Sequence, residues 1–212
     1  MRSGARIGLV LVLAASGLAA GQAPEPRRAL LLNPAALTEE APPIFTTLFD
    51  TTAGMFVVRV HRAWAPNGAD RFYNLVKAGF YENCRFFRVV PEFVAQFGIH
   101  GDPAVSEAWS RATIPPDRAR LSNTRGRVTF AMGALANSRT TQVFINLSDN
   151  SDLDIDGFAP FGEIMSSMML VERIYSKYGE GPDQSRILRE GNGFLIKHLP
   201  RLDYIRKTTI EP

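Results

Sequence analysis

Phe87-Arg88-Val89-Val90-Pro91-Glu92-Phe93-Val94-Ala95-Gln96 is the stretch on which the fold turns. It joins two β-like runs, 85–90 and 93–97, across Pro91-Glu92, and sets an arginine, aromatics and a glutamine close together. Taken alone, Arg88 reads as a surface arginine beside a strand, since exposed arginine is common. Phe93 and the later Phe144 read alone as core.

Upstream, Asp50-Thr51-Thr52-Ala53-Gly54 is a turn signal. Residues 55–61 then alternate, with Phe56, Val58 and Val60 on one face and Val57, Arg59 and His61 on the other. Pro66-Asn67-Gly68 breaks the strand. Asn67 is expected to cap a helix over 67–78, with Asp70 answering it. Ala69, Phe72, Leu75 and Val76 share one helical face, and Gly79 ends it. Downstream, further β-like runs fall at 128–133, 142–147 and 161–165. A second helix fits 168–178, stopped by Gly179-Glu180-Gly181-Pro182. Short strands with only two helices suggest a closed β-barrel capped by those helices. A sandwich fits the pattern alone equally well.

The chain has 212 residues, 45% of them apolar, and a formal net charge of +3. That supports a sizeable core, and without a basic block nothing argues for nucleic acid. Residues 1–23 have Arg2 and Arg6, then an uncharged apolar run, then small residues. They read as a signal peptide, cleaved within 20–23. The expected setting is therefore exported, periplasmic or extracellular, with membrane contact only transiently through that signal. Residues 24–46, with five prolines, read as a tether. The folded domain is expected over 47–212, ending in a C-terminal extension. Cys84 is the only cysteine, so no internal disulfide can form, and it reads as buried filler.

Asp152-x-Asp154-x-Asp156-Gly157 followed by Glu163 has the spacing of a helix-flanked calcium loop. Its flanks read as strands and Pro160 interrupts the exit, so it is read as a solvated acidic turn. His61, His100 and His198 have no ligand spacing. No metal and no cofactor are expected.

The run 87–96 resembles the cyclophilin signature, an aromatic or His followed by Arg-Val-x-Pro-x-Phe-x-x-Gln. Two further blocks are similar to that family in the correct order. One holds Phe130-Ala131-Met132 and Ser138-Arg139-Thr140-Thr141-Gln142-Val143-Phe144-Ile145. The other runs from Leu153-Asp154 to Phe158-Ala159-Pro160-Phe161-Gly162. Residues 65–80 resemble the family's first helix, so the likeness covers roughly 46–178. It implies an eight-stranded antiparallel barrel closed by two helices, with a proline pocket on its outer face. It further implies a peptidyl-prolyl cis-trans isomerase acting on proline-containing polypeptides as a monomer. The best-known members carry His where this chain has Phe158, Met at Val94, Asn at Met132, and Trp near Asp152. The missing Trp leaves cyclosporin binding without support.

The chemistry implied needs no nucleophile. An X-Pro bond turns slowly because its partial double bond must be broken. In the twisted amide the nitrogen gains a lone pair, which a fixed guanidinium can hydrogen-bond. Arg88 is the expected catalytic group, with Gln96 holding it or the substrate backbone. Phe93, Val94, Phe144, Leu153 and Phe158 are expected to receive the proline ring. Ala131, Met132 and Gln142 complete the expected substrate-binding set. Two rivals are a proline-peptide-binding or holdase module with little turnover, and an unrelated β-barrel ligand carrier.

Overall fold

The computed structural model describes residues 25–211. The signal peptide expected over 1–23 lies outside them. Eight strands form one antiparallel sheet: β1 Ile44–Thr51, β2 Gly54–His61, β3 Arg88–Val90, β4 Val94–Phe97, β5 Arg127–Phe130, β6 Val143–Asn146, β7 Pro160–Ile164 and β8 Ile205–Glu211. Their order across the sheet is β3-β4-β6-β5-β7-β2-β1-β8. Alternation decides which face is buried. Phe45, Thr47, Phe49 and Thr51 of β1 point inward, as do Phe56, Val58 and Val60 of β2. Phe49 stacks on Phe56 with ring centroids 5.0 Å apart, and Phe72 from the first long helix meets Phe161 at 4.9 Å.

The barrel expected to be closed is a curled sheet whose outer strands, β3 and β8, share no ladder. Three backbone hydrogen bonds cross the seam just before β3: Asn83 N to Ile205 O, Ile205 N to Cys84 O, and Phe86 N to Asp203 O. The left-handed Asn83, at φ 62°, and the short length of β3 stop these bonds from growing into a ladder.

Among the described residues six α-helices surround the sheet: α1 Glu25–Leu31, α2 Pro66–Lys77, α3 Pro103–Trp109, α4 Asp152–Ile155, α5 Met168–Glu172 and α6 Gln184–His198. Only α2 matches the sequence reading closely. Its N-cap is Ala65, which makes no side-chain cap, so the expected Asn67 cap is corrected. The carboxylate of Asp117 does that work, accepting from Asn67 N at 3.0 Å and Gly68 N at 2.9 Å. Asp70 instead binds Arg62 and accepts from Ala41 N.

The second helix expected over 168–178 stops at Glu172. The Asp203 carboxylate captures the Tyr175 N–H at 2.8 Å, and the chain leaves helical geometry. The supposed C-terminal extension is largely α6 and β8, the latter paired along β1 from Thr46↔Glu211 to Thr51↔Ile205. Gly191 bends α6 with φ 60°, and a Cβ there would stand 2.2 Å from Gly101 O. That close approach docks α6 against the start of α3, with Asn192 N bonded to Gly101 O.

Part of the stretch expected as a tether over 24–46 packs against the domain. Leu31 of α1 is 0% exposed and its carbonyl accepts from Trp109 Nε1 at 2.8 Å. Arg28 donates to Asp102 at 2.7 Å, Arg27 pairs with Glu82, and Glu39 exchanges two hydrogen bonds with Asn74. The prolines shape a segment laid along α2 and α3, because its apolar side chains have a surface to bury against. Among the described residues no helix is long and apolar enough to cross a membrane.

Candidate active site

Strand register assembles the site. Arg88 of β3 lies opposite Gln96 of β4, and Gln96 lies opposite Phe144 of β6. Directly opposed residues share a face of the sheet, so these three side chains form one row. Val94 and Gln142, two positions along their chains, stand on that face as well. The alternate residues Val89, Ala95, Phe97, Val143 and Ile145 go to the core, all at least 96% buried. One pattern of alternation therefore builds the core on one side and a pocket on the other.

The turn between β3 and β4 is closed by Phe93 N to Val90 O, with Glu92 at φ 60°. It returns Phe93 over Arg88, whose Cζ lies 5.2 Å from the ring centroid. Arg88 Nη1 donates to Gln96 Oε1 at 3.2 Å, and Gln96 Nε2 donates to Gln142 Oε1 at 2.7 Å. That chain of amides fixes which way Gln96 presents its oxygen.

A loop after β6 makes the opposite wall, and a buried amide network holds it. Asn123 Nδ2 donates to Asp154 Oδ1 at 2.8 Å and to Phe158 O at 2.9 Å. Asn150 Nδ2 donates to Phe93 O at 2.9 Å and to Asn146 Oδ1 at 2.8 Å. Phe158 meets Phe144 edge-on at 5.7 Å. Burial pushes the Asp154 carboxyl up, but hydrogen bonds from Ser122 and Asn123 outweigh it and hold the group below its ordinary value. Glu163, the last acid of the calcium-like spacing, accepts instead from Arg127 and lies 3.1 Å from His61 Nε2. Asp154 and Glu163 of that motif thus turn toward different partners.

All ten residues expected at the site from sequence line one cavity of about 450 Å³: Arg88, Phe93, Val94, Gln96, Ala131, Met132, Gln142, Phe144, Leu153 and Phe158. Ser138, Thr140 and Gln184 also line it. Gln184, and Glu180 bonded to Arg88, come from a part of the chain outside the motif blocks, and no pattern in the sequence pointed to them. Arg88 is the only charged side chain among the described lining residues. Cys84 is buried and outside the cavity, and burial pushes its thiol well up, away from nucleophilic use.

The arrangement is the mainly β cyclophilin fold. A solved cyclophilin type peptidyl-prolyl cis-trans isomerase of Cryptosporidium parvum superposes with a TM-score of 0.58 at 17% identity, covering 80% of this chain and 98% of that one. A cyclophilin from Hirschia baltica gives 0.59 at 16%, covering 81% and 75%. In sequence, this chain is 32% identical over 148 residues to peptidyl-prolyl cis-trans isomerase A of Dickeya dadantii, covering 65% of this chain and 76% of that protein. To peptidyl-prolyl cis-trans isomerase B of Escherichia coli it is 30% identical, covering 59% and 81%. Residues 46–190 match the family described as cyclophilin type peptidyl-prolyl cis-trans isomerase/CLD, and the chain belongs to that family. It is an enzyme of the peptidyl-prolyl cis-trans isomerase class.

Proposed function

We propose that this isomerase turns X-Pro bonds in exported polypeptides and assists their folding outside the cytoplasm, working as a monomer. The export setting is supported by the charged, apolar and small-residue succession of residues 1–23. Proline-containing chains as substrates are supported by the family and by the cavity's mix of apolar walls and one guanidinium. A Cryptosporidium parvum relative has been solved in the presence of the dipeptide Ala-Pro.

One observation carries the mechanism: Arg88, Gln96, Phe93 and Phe144 meet around one cavity with the guanidinium already held. Phe93, Phe144, Val94 and Leu153 receive the proline ring. Arg88 donates to the imide nitrogen as its lone pair develops, a contact absent from the planar ground state. Gln96 keeps the guanidinium aimed, so little reorganisation is needed at the barrier.

The test is isomerisation of a short X-Pro peptide. Arg88→Ala lowers kcat/KM by about 30- to 1,000-fold, the worth of one such hydrogen bond, while peptide affinity changes less. Arg88→Lys recovers little, because an ammonium lacks the planar fork. If folded Arg88→Ala keeps full activity, Arg88 is not the catalytic group, and a peptide-binding module becomes the better account.

A further inference from the structure

Glu180 lies in the turn between α5 and α6, outside the motif blocks of the family. That turn is built rather than loose. Gly179 N bonds to Ser176 O and Gly181 N to Tyr178 O, Gly179 takes φ 51°, and Pro182 is buried. From it, Glu180 Oε1 accepts from Arg88 Nε at 3.0 Å and also from Arg88 Nη2.

A guanidinium has five N–H donors in one plane. Glu180 takes two of Arg88's and Gln96 a third, while Phe93 covers the face. Two donors are left for a substrate. Gln96 alone, at 3.2 Å, holds the group at one nitrogen and leaves it free to swing. The Nε–Nη2 edge clamped by a carboxylate fixes the plane.

We propose that Glu180 is a positioning residue for Arg88, supplied by the C-terminal segment. It acts through Arg88 and rests on the reading of Arg88 as the catalytic group. Side-chain exposure is 65% for Glu180 and 24% for Arg88, so solvent screens the pair and the effect is modest.

The experiment uses the full chain and a short X-Pro peptide, with isomerisation and affinity read from the same exchange-NMR titration. Wild type, Glu180→Ala, Glu180→Gln, Arg88→Ala and the Arg88→Ala/Glu180→Ala double variant are compared. Glu180→Ala is expected to lower kcat by about two- to fivefold, the scale of an exposed ion pair, with peptide affinity nearly unchanged. Glu180→Gln recovers part of the loss, since its amide oxygen still accepts. In the Arg88→Ala background, removing Glu180 costs nothing further. Salt at about 1 M brings wild type toward Glu180→Ala and leaves that variant unmoved. A Glu180→Ala enzyme that is as fast as wild type, or faster, overturns the proposal, as does a further loss in the Arg88→Ala background. If Arg88→Ala itself keeps full activity, the catalytic reading of Arg88 falls and the positioning role falls with it. If only the Glu180 variants fail to respond, the catalytic reading stands.

Discussion

Asp117 shows what a single residue does when its partners come from two distant parts of the chain. It caps α2 through two backbone N–H groups and pairs with Arg139 Nη1 at 3.0 Å. Their side chains are 3% and 4% exposed. Removing one partner of such a pair leaves a buried charge unmatched, which costs about 3–5 kcal/mol. Asp117→Ala should lose that much in denaturant unfolding, and a loss below about 1 kcal/mol would show the pair to be dispensable. The cap was read in sequence as Asn67 because a local rule looks only at neighbours, and Asp117 lies 50 residues away. The site residues were legible for a different reason. Arg88, Gln96 and Phe144 sit in ordered motifs, and strand alternation converts their spacing into one face. Glu180 obeys no such spacing: it reaches Arg88 across 92 residues through a turn whose Gly and Pro signalled only a stop.

At the scale of elements, β2 to β7 and α2 were readable from periodicity, while β1, β8, α1, α3 and α6 were not. Gly191 and Gly193 interrupt the apolar pattern of α6, and α1 and α3 are only seven residues each. Such helices draw stability from packing more than from propensity. For α1 that packing is concentrated in Leu31, wholly buried and bonded through its carbonyl to Trp109. Leu31→Ala should cost about 2–5 kcal/mol, as for other buried leucines. None of the cavity-lining residues belongs to α1. The variant should therefore melt earlier in calorimetry while its kcat/KM, measured well below the transition, holds. An unchanged melting temperature would return residues 25–43 to the status of a tether.

For the whole molecule, His100 links folding to pH. Its Nδ1 accepts from Asp102 N at 3.0 Å, and Phe80 lies 5.1 Å from its ring. Burial pushes its pKa down, and the nearby Asp102 only partly offsets that. Arg28, on Asp102, adds a further downward push. The unfolded chain takes up this proton near pH 6.5, while the folded chain still excludes it. Stability from His100 is thus fully present above about pH 6.5 and is lost as pH falls toward the lower folded value. Urea unfolding across that window should show stability falling with pH in wild type and a flatter dependence in His100→Gln. Equal slopes would remove His100 from the account.

The pairing of Thr46 with Glu211 carries a consequence for the order of events during synthesis. β1 is made early, but its second neighbour is the last strand of the described chain. Until residues 205–211 have been made and docked, β1 presents a row of unpaired backbone groups. Such an edge is a template for other nascent chains. Because the contact spans almost the full sequence, its closure is also entropically slow. This isomerase thus completes its sheet only once residues 205–211 have been made, and a chain cut short within 205–211 would leave that edge open.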